Sequence, residues 1–130
     1  MPLPPHDQFY SIATYNCEGV IRNQACTREL LLHHEILCIQ EHKLYQFEAD
    51  AGLLEELFPG NLADHKCFDH NDCSMEMAQR GNFGMHGVAT IWKEKLAPFI
   101  KKSEEGNERI LVTLFEPPEE KPVCIINSYL

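Results

Sequence analysis

Four consecutive apolar residues, Ile36-Leu37-Cys38-Ile39, run without a break into Gln40-Glu41-His42-Lys43. No other feature constrains this chain as much. A run so short and so uniformly apolar has no polar face to turn to water, so it reads as a strand covered on both sides. Cover on both sides requires packed layers above and below, and hence a layered α/β domain. The polar residues that follow mark the carboxyl end of that strand, the place where chemistry collects in such sheets.

The rest of the pattern agrees with this frame. Residues 9–15 are rich in aromatic and β-branched side chains and predict a strand, which ends at Asn16-Cys17-Glu18-Gly19 with a glycine turn signal. Asn23 is placed to cap a helix over residues 24–34, with Leu30, Leu31 and His34 on or near its buried face. Residues 49–58 carry Leu53, Leu54, Leu57 and Phe58 at helical spacing, stopped by Pro59-Gly60. Residues 61–83 are polar and poor in aliphatics, and read mostly as loop. After a glycine-spaced approach (Gly81, Gly84, Gly87), residues 86–92 read as a strand. Residues 109–115 alternate Ile110, Val112 and Leu114 on one side, and residues 123–126 form another buried strand. The order is strand, helix, strand, helix, then several strands, which predicts an α/β fold with a mixed sheet and two main helices. There is no internal repeat.

Composition narrows the function classes. With 44% hydrophobic and 24% charged residues the chain reads as globular, not disordered and not membrane-spanning. Residues 1–8 have neither a basic start nor an apolar run, so they read as an extended lead-in to a single domain over 9–130, and the location expected is nucleus or cytoplasm. Six scattered cysteines (Cys17, Cys26, Cys38, Cys67, Cys73, Cys124) suit reduced thiols. Of these, Cys38 and Cys124 lie in apolar runs and are expected to pack as small hydrophobes. A net charge of −9 argues against a nucleic-acid binder unless cations gather on one face or divalent ions offset the repulsion.

Asn16, Glu18 and Glu41 all follow directly on predicted strand ends. Each taken singly is better read as a turn or solvated residue; Glu41, for instance, has Lys43 nearby as a partner. As a set, two neighbouring strands would deliver an amide and one or two carboxylates to one edge, where hard oxygen ligands suit a divalent cation. A second dense group, His65, Cys67, Asp69, His70, Asp72 and Cys73 with His86 beyond, has zinc-type donors but no paired spacing, so a solvated loop is preferred over a zinc site.

Several stretches resemble the endonuclease/exonuclease/phosphatase superfamily. Ile12-Ala13-Thr14-Tyr15-Asn16-Cys17-Glu18-Gly19-Val20 resembles its opening strand, which ends in a Trp-Asn-x-x-Gly-type motif. Glu35-Ile36-Leu37-Cys38-Ile39-Gln40-Glu41-His42-Lys43-Leu44 is similar to its Asp-Ile-x-x-Leu-Gln-Glu-Thr-Lys block. Gly84-Met85-His86-Gly87-Val88-Ala89-Thr90-Ile91 looks like its Gly-x-x-Gly-Val-Ala strand, and Glu108-Arg109-Ile110-Leu111-Val112 and Val123-Cys124-Ile125-Ile126-Asn127-Ser128-Tyr129 match the next two strands in order. AP endonucleases and the endonuclease domains of non-LTR retrotransposons look closest.

The resemblance implies half of a two-sheet α/β sandwich and metal-dependent phosphodiester hydrolysis on DNA. Glu41 would be the Mg²⁺ ligand (Mn²⁺ being an alternative), Asn16 an active-site hydrogen-bonding residue, and Tyr129 the tyrosine near the phosphate. Glu18 falls where some members have an acidic residue that assists the metal. Tyr15 stands where Trp is frequent, and His42 replaces the usual Thr. The family's later Gly-Asp-x-Asn and Ser-Asp-His blocks do not follow Leu130. Losing the base they carry should cost a factor of about 10² to 10⁴, so the chain is expected to be inactive alone. Alternatives are a phosphatase or lipid phosphodiesterase of the same superfamily, or a non-catalytic interaction fragment that self-associates through an exposed sheet face.

Overall fold

A computed structural model of the protein describes residues 9–68 and 84–129. The apolar run forms β2 (Ile36–Gln40), and its alternation is divided between two separate cores. Leu37 and Ile39 point into one core with Leu31, Leu54, Phe58 and Ile91, beneath the helices. Ile36 and Cys38 point into another with Trp92, Leu96, Phe115 and Ile125. Each fully buried Leu, Ile or Phe contributes roughly 1.5–3 kcal/mol against exposure, more than the roughly 1 kcal/mol net of a backbone hydrogen bond. Two-sided burial therefore fixes β2 at the centre of the molecule.

The first strand, β1 (Ile12–Asn16), pairs with β2 in parallel, joined by α1 (Gln24–His33). On the other side of β2 lies β4 (Val88–Lys93), antiparallel, and beyond it β3 (Asn61–Lys66), giving the order β1-β2-β4-β3. A second sheet, β5 (Ile100–Asn107), β6 (Ile110–Phe115) and β7 (Val123–Ser128), is an antiparallel meander. Its Phe115 and Ile125 pack on Ile36, Cys38 and Trp92 of the first sheet, so the two sheets face one another. The expected α/β two-sheet arrangement is present.

The structure departs from several expectations and adds elements the sequence left open; of residues 123–126, expected as a buried strand, Ile125 alone is buried. The single helix over residues 49–58 is two short ones, α2 (Gln46–Asp50) and α3 (Leu53–Leu57), because Gly52 takes a left-handed φ of 85° between them. Within the stretch read as loop, residues 61–66 form the edge strand β3; its polar sequence is what an exposed edge tolerates. The whole of β5 is a further edge strand, dominated by charged residues. On β6 the buried side is Leu111, Thr113 and Phe115, while Ile110, Val112 and Leu114 are half-buried on the outer face. Cys38 is buried as expected, whereas Cys124 lies on that outer face and is exposed.

No helix among the described residues is long and apolar enough to cross a membrane. The lead-in over residues 1–8, Leu130, and Asp69, His70, Asp72, Cys73 and Gly81 lie outside the described residues.

Candidate active site at the strand ends

Parallel pairing sets Asn16 at the ends of β1 and β2 opposite Gln40. Beyond that register the loops stay tied. The Gly19 amide donates to the Glu41 carbonyl at 2.7 Å and the Val20 amide to the His42 carbonyl at 3.1 Å. From the other side, the His42 and Lys43 amides donate to the Gly87 and His86 carbonyls, which lead into β4. The three approaches, after β1, after β2 and before β4, are thus laced into one rim. Glu18, Glu41, Lys43 and His86 all have left-handed φ, between 48° and 58°. Such conformations cost about 1–3 kcal/mol each outside glycine, and they concentrate where a surrounding structure imposes them for function.

The left-handed turn at Glu41 ends the strand's alternation and brings its carboxylate to the second sheet. There the Tyr129 hydroxyl donates to Glu41 Oε1 at 2.9 Å. The Arg109 guanidinium sits 5.7 Å over the Tyr129 ring. On the ring's other neighbour, His86, the centroid is 5.2 Å away and tilted by 31°. His86 Nδ1 lies 3.9 Å from Glu41 Oε1. The hydrogen bond to Glu41, with lesser help from burial and the carboxylate's charge, raises the Tyr129 hydroxyl above its ordinary pKa.

Behind this rim, Asn127 of β7 is a buried amide with a full set of partners. Its Nδ2 donates to the Ala89 carbonyl at 2.8 Å and the Ile39 carbonyl at 3.2 Å, and its Oδ1 accepts from Gln40 Nε2 at 2.8 Å. Gln40 also donates to Thr14 Oγ1. One polar chain therefore runs from β1 through β2 and β4 to β7 and fixes the two sheets relative to each other.

His42 is structural. Its Nε2 donates to the Lys66 carbonyl and its Nδ1 accepts from the Leu44 amide, and burial pushes its pKa down to about 4. A Cβ at Gly87 would run into the imidazole, and Gly87 has φ 94°, so glycine is required at that contact. Cys17 is buried with its thiol donating to the Gln40 and Glu41 carbonyls, and burial raises its pKa to about 11. Asn23 precedes α1, but its side chain makes no cap hydrogen bond. Instead it donates to the Cys17 and Glu18 carbonyls and holds the loop after β1.

The expected site residues are placed as follows. Asn16, Glu41 and Tyr129 all sit at the same end of the sandwich, Glu41 and Tyr129 in direct contact. Asn16 is exposed and its Oδ1 accepts the Glu18 amide in a local turn. Glu18 is exposed on that turn. The sequence assigns no such role to Asn127, Gln40 or Arg109; all three lie within matched motifs, and the Gln40–Asn127 pairing joins positions far apart in the chain. For the zinc-type group, His65 pairs with Asp50 at 3.2 Å and Cys67 is buried. Among the described residues, no three or more His, Cys, Asp or Glu side chains gather into a metal-holding group.

The donor chemistry nevertheless suits a cation. Glu41 is only 19% exposed, and among the described residues no Lys or Arg pairs with it. A carboxylate partly withdrawn from water without a cationic partner is costly, and a divalent ion relieves that cost.

Two facing sheets with a carboxylate, a tyrosine and amides gathered at one strand-end rim define an α/β sandwich of the nuclease and phosphatase kind. The chain belongs to the Endonuclease/Exonuclease/phosphatase family, whose model matches residues 13–127. Solved structures agree on the fold. An AP endonuclease from Leishmania major is 23% identical with a TM-score of 0.64, over 92% of this chain and 40% of that one. A 3′ phosphatase from Neisseria bound to a product DNA hairpin is 18% identical with a TM-score of 0.58, over 93% and 41%. For an AP endonuclease from Archaeoglobus fulgidus the values are 19% and 0.54, over 93% and 41%. The chain therefore spans about two fifths of the length of these proteins. No curated protein matches the sequence.

Proposed function

We propose that this chain carries the amide-and-carboxylate part of a divalent-metal-dependent, nuclease-like phosphodiesterase site, of AP endonuclease or retrotransposon endonuclease type, with DNA as its substrate. The observation that carries the reading is the 2.9 Å contact between Tyr129 of one sheet and Glu41 of the other, at the rim where Asn16 ends β1. The DNA-processing names of the similar structures support DNA over a lipid ester.

In this reading Glu41 holds Mg²⁺, or Mn²⁺, with Glu18 assisting. When bound, the ion supplies neutralisation of charge on the phosphoryl and departing oxygens. Asn16 donates its amide to a phosphate oxygen. Tyr129, whose hydroxyl stays protonated, positions Glu41 and offers a hydrogen bond near the phosphate. Arg109, stacked beside Tyr129, puts positive charge at this end of an otherwise acidic protein, favouring approach of a phosphate backbone. In this reading a general base that activates the attacking water contributes a factor of about 10² to 10⁴.

Two measurements test the reading together: calorimetric titration of the chain with Mg²⁺ and Mn²⁺, and nicking of abasic-site duplex beside plain plasmid. Both are run beside Glu41→Gln. Cation binding and any nicking should fall with the substitution. Either one surviving it unchanged would remove Glu41 from the site.

A further inference from the structure

His86 carries two anomalies at once. Its Nδ1 is buried and, among the described residues, has no hydrogen-bond partner, although that atom lies 3.9 Å from Glu41 Oε1. An unsatisfied buried polar atom forfeits its hydration, so native structures keep one only where something else engages it. Its backbone is also held at φ 51°, with its carbonyl accepting the Lys43 amide at 2.8 Å. The ring lies against the Phe68 ring, 5.0 Å away at 85°, and against the tilted Tyr129 ring. Strain and packing together aim an unused nitrogen at the site's carboxylate.

We propose that His86 is a second metal-binding side chain of this site, its Nδ1 joining the Glu41 carboxylate on one divalent cation, and that this nitrogen makes the site favour first-row transition ions over Mg²⁺. The proposal rests on the reading of Glu41 given above. Ligands roughly 2.1 Å from a shared ion can stand up to roughly 4.2 Å apart, so the observed separation needs little closure. Tyr129 occupies one lone pair of Oε1, and the carboxylate retains others. Imidazole nitrogen suits Mn²⁺ and the later transition ions, whereas Mg²⁺ prefers an all-oxygen shell. A neutral imidazole protonated at Nε2 leaves Nδ1 free to donate its pair.

The test is pulsed electron paramagnetic resonance of Mn²⁺ bound to the chain, prepared with ordinary and with ¹⁵N-labelled histidine. A directly bound imidazole gives a nitrogen coupling that changes with the label, and wild-type protein alone suffices for this readout. His86→Asn, chosen because Asn tolerates positive φ, should abolish the coupling. It should also weaken Mn²⁺ binding about tenfold or more while changing Mg²⁺ binding much less. Mn²⁺ bound without nitrogen coupling, or equal losses for both ions, overturns the proposal and leaves Glu41 as a ligand. Mn²⁺ binding that Glu41→Gln does not affect overturns both.

Discussion

The Tyr129 hydroxyl and Glu41 Oε1, 2.9 Å apart, join the end of β7 to the end of β2, so the two sheets meet in one hydrogen bond at the rim. Ionising the phenol would lose that bond and set two negative charges side by side, so Tyr129 titrates above the ordinary 10.0. Alkaline titration followed by tyrosinate absorbance, with Tyr129→Phe subtracted from wild type, should isolate this high step. In Glu41→Gln the step should move down towards 10. A Tyr129 that titrates identically with and without the carboxylate would mean the contact does not persist in solution.

Asn127 supports the same junction from behind. Replacing it with leucine keeps the volume near but removes the buried donor to the Ala89 and Ile39 carbonyls, while Gln40 keeps its bond to Thr14. Each stranded group costs about 1–3 kcal/mol, so urea unfolding should show a loss of about 2–4 kcal/mol. Because β2 is apolar on both faces, hydrophobic patterning alone specifies the sheet-to-sheet register weakly, and this amide supplies what the pattern lacks. Unfolding of Asn127→Leu at the wild-type midpoint would show that packing alone sets the junction.

What the sequence discloses here follows physical contrast. The run at Ile36 reads clearly because two-sided burial removes every polar residue from it, and Glu41 stands out because it ends that run. Polar edge strands disclose little. Asn61-Leu62-Ala63-Asp64-His65-Lys66 and Ile100-Lys101-Lys102-Ser103 bury few side chains and look like loop, although backbone pairing makes them strands. Asn16 is legible from its place at a strand end and Tyr129 only through the resemblance, while the setting of the His86 nitrogen and the four-way bonding of Asn127 depend on residues brought together across long sequence separations. Asn23 shows the converse: its position is that of a cap, yet its amide serves the site loop.

His42 should make the fold acid-sensitive. Its folded pKa is about 4 against an ordinary 6.5, so the unfolded chain binds the proton first. The corresponding stability is complete above pH 6.5 and is lost as pH falls towards 4, up to about 3 kcal/mol for a shift of this size. Urea midpoints measured between pH 7.5 and 4 should drop accordingly. His42→Gln, which can still donate to Lys66 and accept from Leu44, should start less stable and show a flatter slope over this window. Parallel slopes in the two proteins would assign the acid sensitivity elsewhere.

The outer face of the second sheet bears on association. Ile126 is 63% exposed and lies in register with Val112, as Cys124 does with Leu114. These side chains share one face, and β7 is an edge strand of its sheet. Contiguous apolar surface on a strand with unpaired backbone groups favours a second copy of the same chain, edge to edge or face to face. Light scattering under reducing conditions, which exclude a disulfide through exposed Cys124, should show mass rising with protein concentration. Ile126→Lys places a charge in the middle of the face without touching Ile125 or Asn127 on the buried side, so it should restore the monomer mass and leave the unfolding midpoint within about 0.5 kcal/mol of wild type. Wild-type protein that stays monomeric at every concentration would show that this face is tolerated in water as it stands.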